Sequence, residues 1–106
     1  PGAELPLRNA DVAGLASRAA AVRLVHGVTV LGRPLDMQLD RALAGLAASD
    51  RGLARALVGG VLRHLPGLDR LIDSACRRAL PPDARARHVL RVALAGRLLL
   101  DTPPHA

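Results

Sequence analysis

Apolar side chains recur along this chain every three or four residues, the spacing that gathers them on one side of an α-helix. Five segments carry the pattern. Ser17, a residue type that caps helix N-termini, opens the first; Ala21, Leu24, Val25, Val28 and Leu31 then share a face until Gly32 stops it. Gly27 sits inside this helix at a cost of about 1 kcal/mol against Ala, which a close helix crossing would explain. Ahead of it lies a short tail with two Pro, where Asp11 can cap a turn over residues 12–16. Arg33-Pro34 starts the second segment, with Leu35, Leu39, Ala42, Leu43 and Leu46 in phase, and Ser49-Asp50 reads as a loop with an N-cap.

The third segment covers residues 51–65. Leu53, Leu57, Val61, His64 and Leu65 take one side, and Arg51, Arg55 and Arg63 fall within about 120° of one another on the other. Gly59-Gly60 within it allows close packing or a bend. After Pro66-Gly67, the fourth helix is marked by Leu68, Leu71, Ile72, Ala75 and Ala79, with Asp73 and Arg77 paired at i, i+4 on its exposed side. Pro81-Pro82-Asp83 separates it from a fifth helix over residues 84–100. There Ala86, Val89, Leu90 and Ala93 are expected inward, and Arg87 and Arg91 outward. Arg97 lies about 20° from Leu90, inside the apolar stripe. A buried guanidinium needs an acid or carbonyls; otherwise it serves as a docking contact on a face that another segment covers.

Composition agrees with helices. Leu and Ala supply 41 of 106 residues, and β-branched residues are few, so the fold class expected is all-α: a compact bundle of five to six helices forming one domain. Every basic residue is Arg. Fifteen of them against nine acids give +6, and residues 49–106 hold +5 of it. Such an excess suits a polyanion, because Arg grips phosphate through two parallel hydrogen bonds; the alternative is a merely solvated face. With no Phe, Tyr or Trp there is no stacking platform for bases. Any RNA would be held by backbone charge and shape.

Catalytic chemistry is not visible. His26, His64, His88 and His105 are too scattered for a metal site. Cys76 is alone among apolar residues, reads as a small buried hydrophobe, and cannot form an internal disulfide. Asp36 and Asp40, one turn apart, read as decoration of an exposed face. No Gly-rich strand-to-helix loop offers a cradle for a dinucleotide or for S-adenosylmethionine. No segment has the roughly 20 apolar residues of a membrane span, and no secretion signal opens the chain, so a membrane partner is not expected and the cytoplasm follows by elimination.

Several strings taken in order carry a resemblance. They are Arg18-Ala-Ala-Ala-Val-Arg-Leu-Val, Gly32-Arg-Pro-Leu-Asp, the run from Asp50 ending Gly-Gly-Val-Leu-Arg63, Leu68-Asp-Arg-Leu-Ile, Leu90-Arg-Val-Ala-Leu, and Leu98-Leu-Leu-Asp-Thr-Pro-Pro-His-Ala106. Together they resemble a NusB-type domain, and more narrowly the N-terminal domain of the RsmB/Sun/Fmu family of bacterial 16S rRNA cytosine-5 methyltransferases. The resemblance covers roughly residues 17–106. It implies a NusB-like helical domain at 17–101, an N-terminal extension at 1–16, and at 102–106 the start of a linker toward a catalytic domain. That catalytic domain would use S-adenosylmethionine; no cofactor is expected in this chain. The first helix carries only Arg18 and Arg23 where NusB antiterminators present a dense arginine cluster.

The expected function is therefore an accessory, RNA-binding module of an rRNA methyltransferase, non-catalytic in itself. Arg18, Arg23, Arg51, Arg55, Arg63, Arg87 and Arg91 would contact phosphates of ribosomal RNA. Arg97 would mark a docking face toward the catalytic domain of the same polypeptide or a small-subunit ribosomal protein. The alternatives are a NusB-type transcription antitermination factor and a protein–protein docking module.

Overall fold

The computed structural model describes residues 9–100. The expected linker at 102–106 and residues 1–8 of the expected extension lie outside that range. Within it there are five α-helices and no strand: α1 (Asn9–Thr29), α2 (Leu35–Leu43), α3 (Ala48–Arg63), α4 (Leu65–Ala75) and α5 (Arg85–Leu98). The all-α expectation holds.

The longest helix, α1, is the spine. It packs against α2, α3 and α5, while α4 leans on α5 and touches α3. The core is built from Ala20, Ala21, Leu24 and Val25 of α1, Ala54, Leu57, Val58 and Val61 of α3, and Leu43, Leu68, Val92 and Ala95 from the other helices. Of the positions the sequence marks, Ala21, Leu24, Val25, Leu43, Leu57, Val61, Leu68 and Ile72 are buried, whereas Leu31, His64, Leu71, Ala75 and Ala79 are exposed, and Ala20, Ala54 and Val58 join the core unmarked. Without aromatic rings, packing rests on Leu and Val set against Ala, and the alanines let helix axes approach closely.

Helix boundaries differ from the sequence reading where side chains found tertiary partners. Ser17 does not cap α1. The helix begins at Asn9, and Ser17 is fully buried in its interior, its Oγ donating to the Asp50 carbonyl of α3 at 3.1 Å. Ser49 and Asp50 belong to the first turn of α3, whose N-cap is Ala47 with no side-chain cap bond. Pro66 does not break the chain; it occupies the first turn of α4, where its missing N–H costs nothing. α4 ends at Ala75, so the expected Asp73–Arg77 helical pair does not form, and Asp73 turns instead to α5.

The close crossing expected at Gly27 is present. The Gln38 side chain of α2 lies directly over it, where a Cβ would collide with Oε1, and Gln38 Nε2 donates to the carbonyls of Arg33 (3.0 Å) and Pro34 (3.3 Å). This fastens the α1–α2 connection, whose turn uses Gly32 at φ 68°.

The principal correction concerns α5. Its inner face is Arg87, His88, Arg91, Val92, Ala95 and Gly96, whereas Ala86, Val89, Leu90 and Ala93 are exposed. The helix presents to the core the side opposite to the one its apolar stripe suggests. The reason is a set of polar partners on α1, α4 and the loop before α5.

Candidate nucleic-acid interface

Arg87 and Arg91, one turn apart on α5, face Asp69 and Asp73, one turn apart on α4. Arg91 grips Asp69 in a two-pronged fork, Nε to Oδ1 at 2.8 Å and Nη2 to Oδ2 at 2.9 Å. Arg87 bridges Asp69 at 3.2 Å and Asp73 at 2.6 Å, and its Nε donates to the Leu80 carbonyl at 3.0 Å. Both arginines are almost fully buried, 5 % and 3 % exposed. The hydrogen bond from Arg91 is the main influence holding the Asp69 carboxyl below its ordinary range, against the opposing effect of burial, with Arg87 adding to it. The hydrogen bond to Asp73 leads in raising the Arg87 guanidinium above its usual value. A carboxylate pair that matches the arginine spacing offsets the desolvation that the apolar-stripe rule treats as prohibitive. Arg87 and Arg91 thus point inward, correcting the expectation that they face solvent.

Beside this clamp two histidines meet that lie 62 residues apart in the chain. His88 is buried, and its Nε2 is 3.3 Å from His26 Nδ1, the rings nearly perpendicular. Arg91 Nη1 lies 3.1 Å from His88 Nδ1. A guanidinium only donates, so His88 Nδ1 accepts; its Nε2 then carries the proton and donates to His26. His88 is therefore neutral, and burial, followed by the Arg91 charge and His26, lowers its pKa. This pair is structural. Spacing gave no sign of it, and no group of three or more metal-ligating side chains forms among the described residues.

The remaining predicted contacts divide by exposure. Arg23, Arg55 and Arg63 are exposed as expected. Arg18 is half-buried and Arg51 half-buried, with Arg51 Nη1 donating to the Leu46 carbonyl at 2.6 Å. Arg97 is exposed and needs no internal acid, because the stripe it shares with Leu90 faces outward. Cys76 is only partly buried, at the C-terminal end of α4.

Among the described residues, Arg23, Arg33, Arg41, Arg55, Arg63, Arg70, Arg77, Arg78, Arg85 and Arg97 are exposed, against Asp36, Asp40, Asp73 and Asp83. The internal clamp takes two arginines together with two aspartates, so it is neutral and leaves the positive excess on the remaining, exposed arginines. Two concavities lie on it. A groove of about 640 Å³ between α1 and α2 is rimmed by Arg23, Arg33 and Arg41. A smaller hollow of about 330 Å³ is lined by Val22, Arg23, His26, Asp83, Arg85 and His88. Sequence reading missed Arg33, Arg41 and Arg85, which come together only through the α1–α2 and α1–α5 crossings.

Comparison with known proteins places these features in context. The family model described as "NusB family" matches residues 15–106. The chain is 38% identical over 96 residues to the "Ribosomal RNA small subunit methyltransferase B" of Xanthomonas campestris pv. campestris, covering 89% of this chain and 22% of that relative. It thus spans about a fifth of the relative's length. No solved structure matches.

Proposed function

The chain belongs to the NusB family, and from that premise we propose that it is an RNA-binding accessory module of a bacterial rRNA cytosine-5 methyltransferase, acting in the cytoplasm. The observation that carries this reading is the surplus of exposed arginines over exposed aspartates, joined to the 38% identity with a protein named as an rRNA methyltransferase. The arginines neutralise phosphates of ribosomal RNA without reading bases, since the chain has no aromatic side chain to stack on them. Arg23, Arg55 and Arg63 are the principal contacts, with Arg18 and Arg51 at their margins. Arg87 and Arg91 are no longer part of the set, their donors being committed to Asp69, Asp73 and carbonyls.

The chemistry belongs to another part of a larger enzyme. S-adenosylmethionine would be bound there, by that catalytic part. The module's task is to seat the RNA.

Titrating an rRNA fragment at several salt concentrations tests this. Affinity is expected to fall steeply with salt, and each of Arg55→Gln and Arg63→Gln to reduce the log–log slope by about 1. Affinity independent of salt, or none at low salt, would defeat the reading.

A second reading rests on α5. Val89 (46 %) and Leu90 (36 %) are exposed beside Ala86, Ala93 and Arg97, a mostly apolar face. It would dock the module on the catalytic domain of the same polypeptide, or on a small-subunit ribosomal protein. Leu90→Asp would then abolish assembly while leaving the salt-dependent RNA affinity of the module unchanged.

A further inference from the structure

The groove between α1 and α2 has a composition that phosphate binding does not explain. Its rim holds three arginines from three places: Arg23 of α1, Arg33 of the connection and Arg41 of α2. No carboxylate lines it; Asp36 and Asp40 of α2 are exposed but outside the lining. Between the arginines stand Leu31, 50 % exposed, and Met37, 80 % exposed. Met37 is the most exposed large apolar side chain of the described residues. An RNA backbone has nothing apolar to place against these two, and the groove has no ring on which to stack a base.

Three cations around an apolar strip make a surface complementary to the opposite pattern: acidic side chains flanking apolar ones. We infer that the α1–α2 groove is a docking site for an acidic, amphipathic helical segment of a partner protein. Leu and Met of the groove receive its apolar residues, and Arg23, Arg33 and Arg41 receive its carboxylates. The floor is fixed in advance. Gln38 lies over Gly27 and holds the carbonyls of Arg33 and Pro34, so the connection carrying Arg33 is ordered before a partner arrives. Unbranched, polarisable Met37 suits a helix-in-groove contact. Such a partner would meet this face apart from RNA held by Arg55 and Arg63 on α3, the two sharing only Arg23.

The chain lacks Trp, Tyr and Phe, so a peptide carrying one Trp reports its own binding by fluorescence without background. The probe is a synthetic helix of about 15 residues with Leu at i, i+3, i+4 spacing and Glu on either side. A saturable shift of its emission is expected, and none for the same peptide with Lys replacing Glu. The double variant Arg33→Glu/Arg41→Glu and the single variant Met37→Glu should each weaken binding by about tenfold or more, through like-charge repulsion and a buried charge. Arg55→Glu on α3 should leave it unchanged. Far-ultraviolet circular dichroism checks that each variant keeps its helices, and Met37→Gln repeats the test without added charge. No saturable shift, or indifference to both Met37 variants, overturns the proposal. So does an oligouridine RNA whose affinity falls in the double variant but not in Met37→Glu; that result makes the groove an RNA seat.

Discussion

Asp69 is the residue on which most of the buried charge depends, since both Arg87 and Arg91 bond to it. Asp69→Asn keeps the shape but leaves two enclosed guanidinium groups short of a counter-charge. Partners removed from buried pairs cost roughly 3–5 kcal/mol, and because Asp69 is about a quarter exposed (28 %), a loss near the lower end, about 3 kcal/mol, is expected by urea denaturation. The pH dependence has two parts. The Asp69 carboxyl is lowered in the fold, so its contribution is present above the unfolded value of about 3.9 and is lost as pH falls through the folded value. His88 is also lowered. Its contribution is full above about 6.5 and declines as pH falls toward the folded value, because the unfolded chain takes up the proton first. Denaturation midpoints measured between pH 7.5 and 5 should therefore drop, and His88→Gln should flatten that limb.

At the level of helices, α5 is where pattern and structure part. Leu90→Asp, on an exposed face, should change stability by no more than about 0.5 kcal/mol, whereas Leu57→Ala, from a core position 2 % exposed, should cost roughly 2–5 kcal/mol by thermal melting. The apolar-stripe reading would have ranked Leu90 with the core. The number and order of the helices were legible, as were Ala21, Leu24 and Val25 of α1 and Leu57 and Val61 of α3 as core positions, because a dominant face of Leu, Val and Ala decides them; the start of α1 and the buried Ala54 and Val58 were not. The facing of α5 was not. Its orientation is set by two aspartates on another helix, and an i, i+4 Asp pair opposite an i, i+4 Arg pair is a signal only once the two helices are known to be neighbours. The same holds for His26 with His88, and for the gathering of Arg33 and Arg41 beside Arg23. Gly27 was legible as a crossing point. Gly27→Ala should leave stability within about 1 kcal/mol, the gain in helix propensity offsetting the bonds Gln38 gives up.

For the molecule as a whole, the division of arginines into two populations matters more than their number. Those on the surface set how the domain meets a polyanion, and their effect should fade with added salt because screening is strong there. Those inside are shielded and should hold the fold together in the same salt. Melting temperatures are expected to shift little between low and moderate ionic strength while RNA affinity collapses; a parallel loss of both would place the structural ion pairs at the surface after all.

Two rungs of opposite charge repeated at one-turn intervals also act as a vernier between α4 and α5. Leucine surfaces can slide past one another by a turn at modest cost, but such a slip here would strand one guanidinium and one carboxylate together. Only one alignment satisfies both rungs, and the turn of chain between Cys76 and Ala84 is thereby committed to a single path. Swapping Asp69 and Asp73 for leucine and Arg87 and Arg91 for methionine should keep the helices yet loosen that alignment, visible as broadened amide resonances along α5.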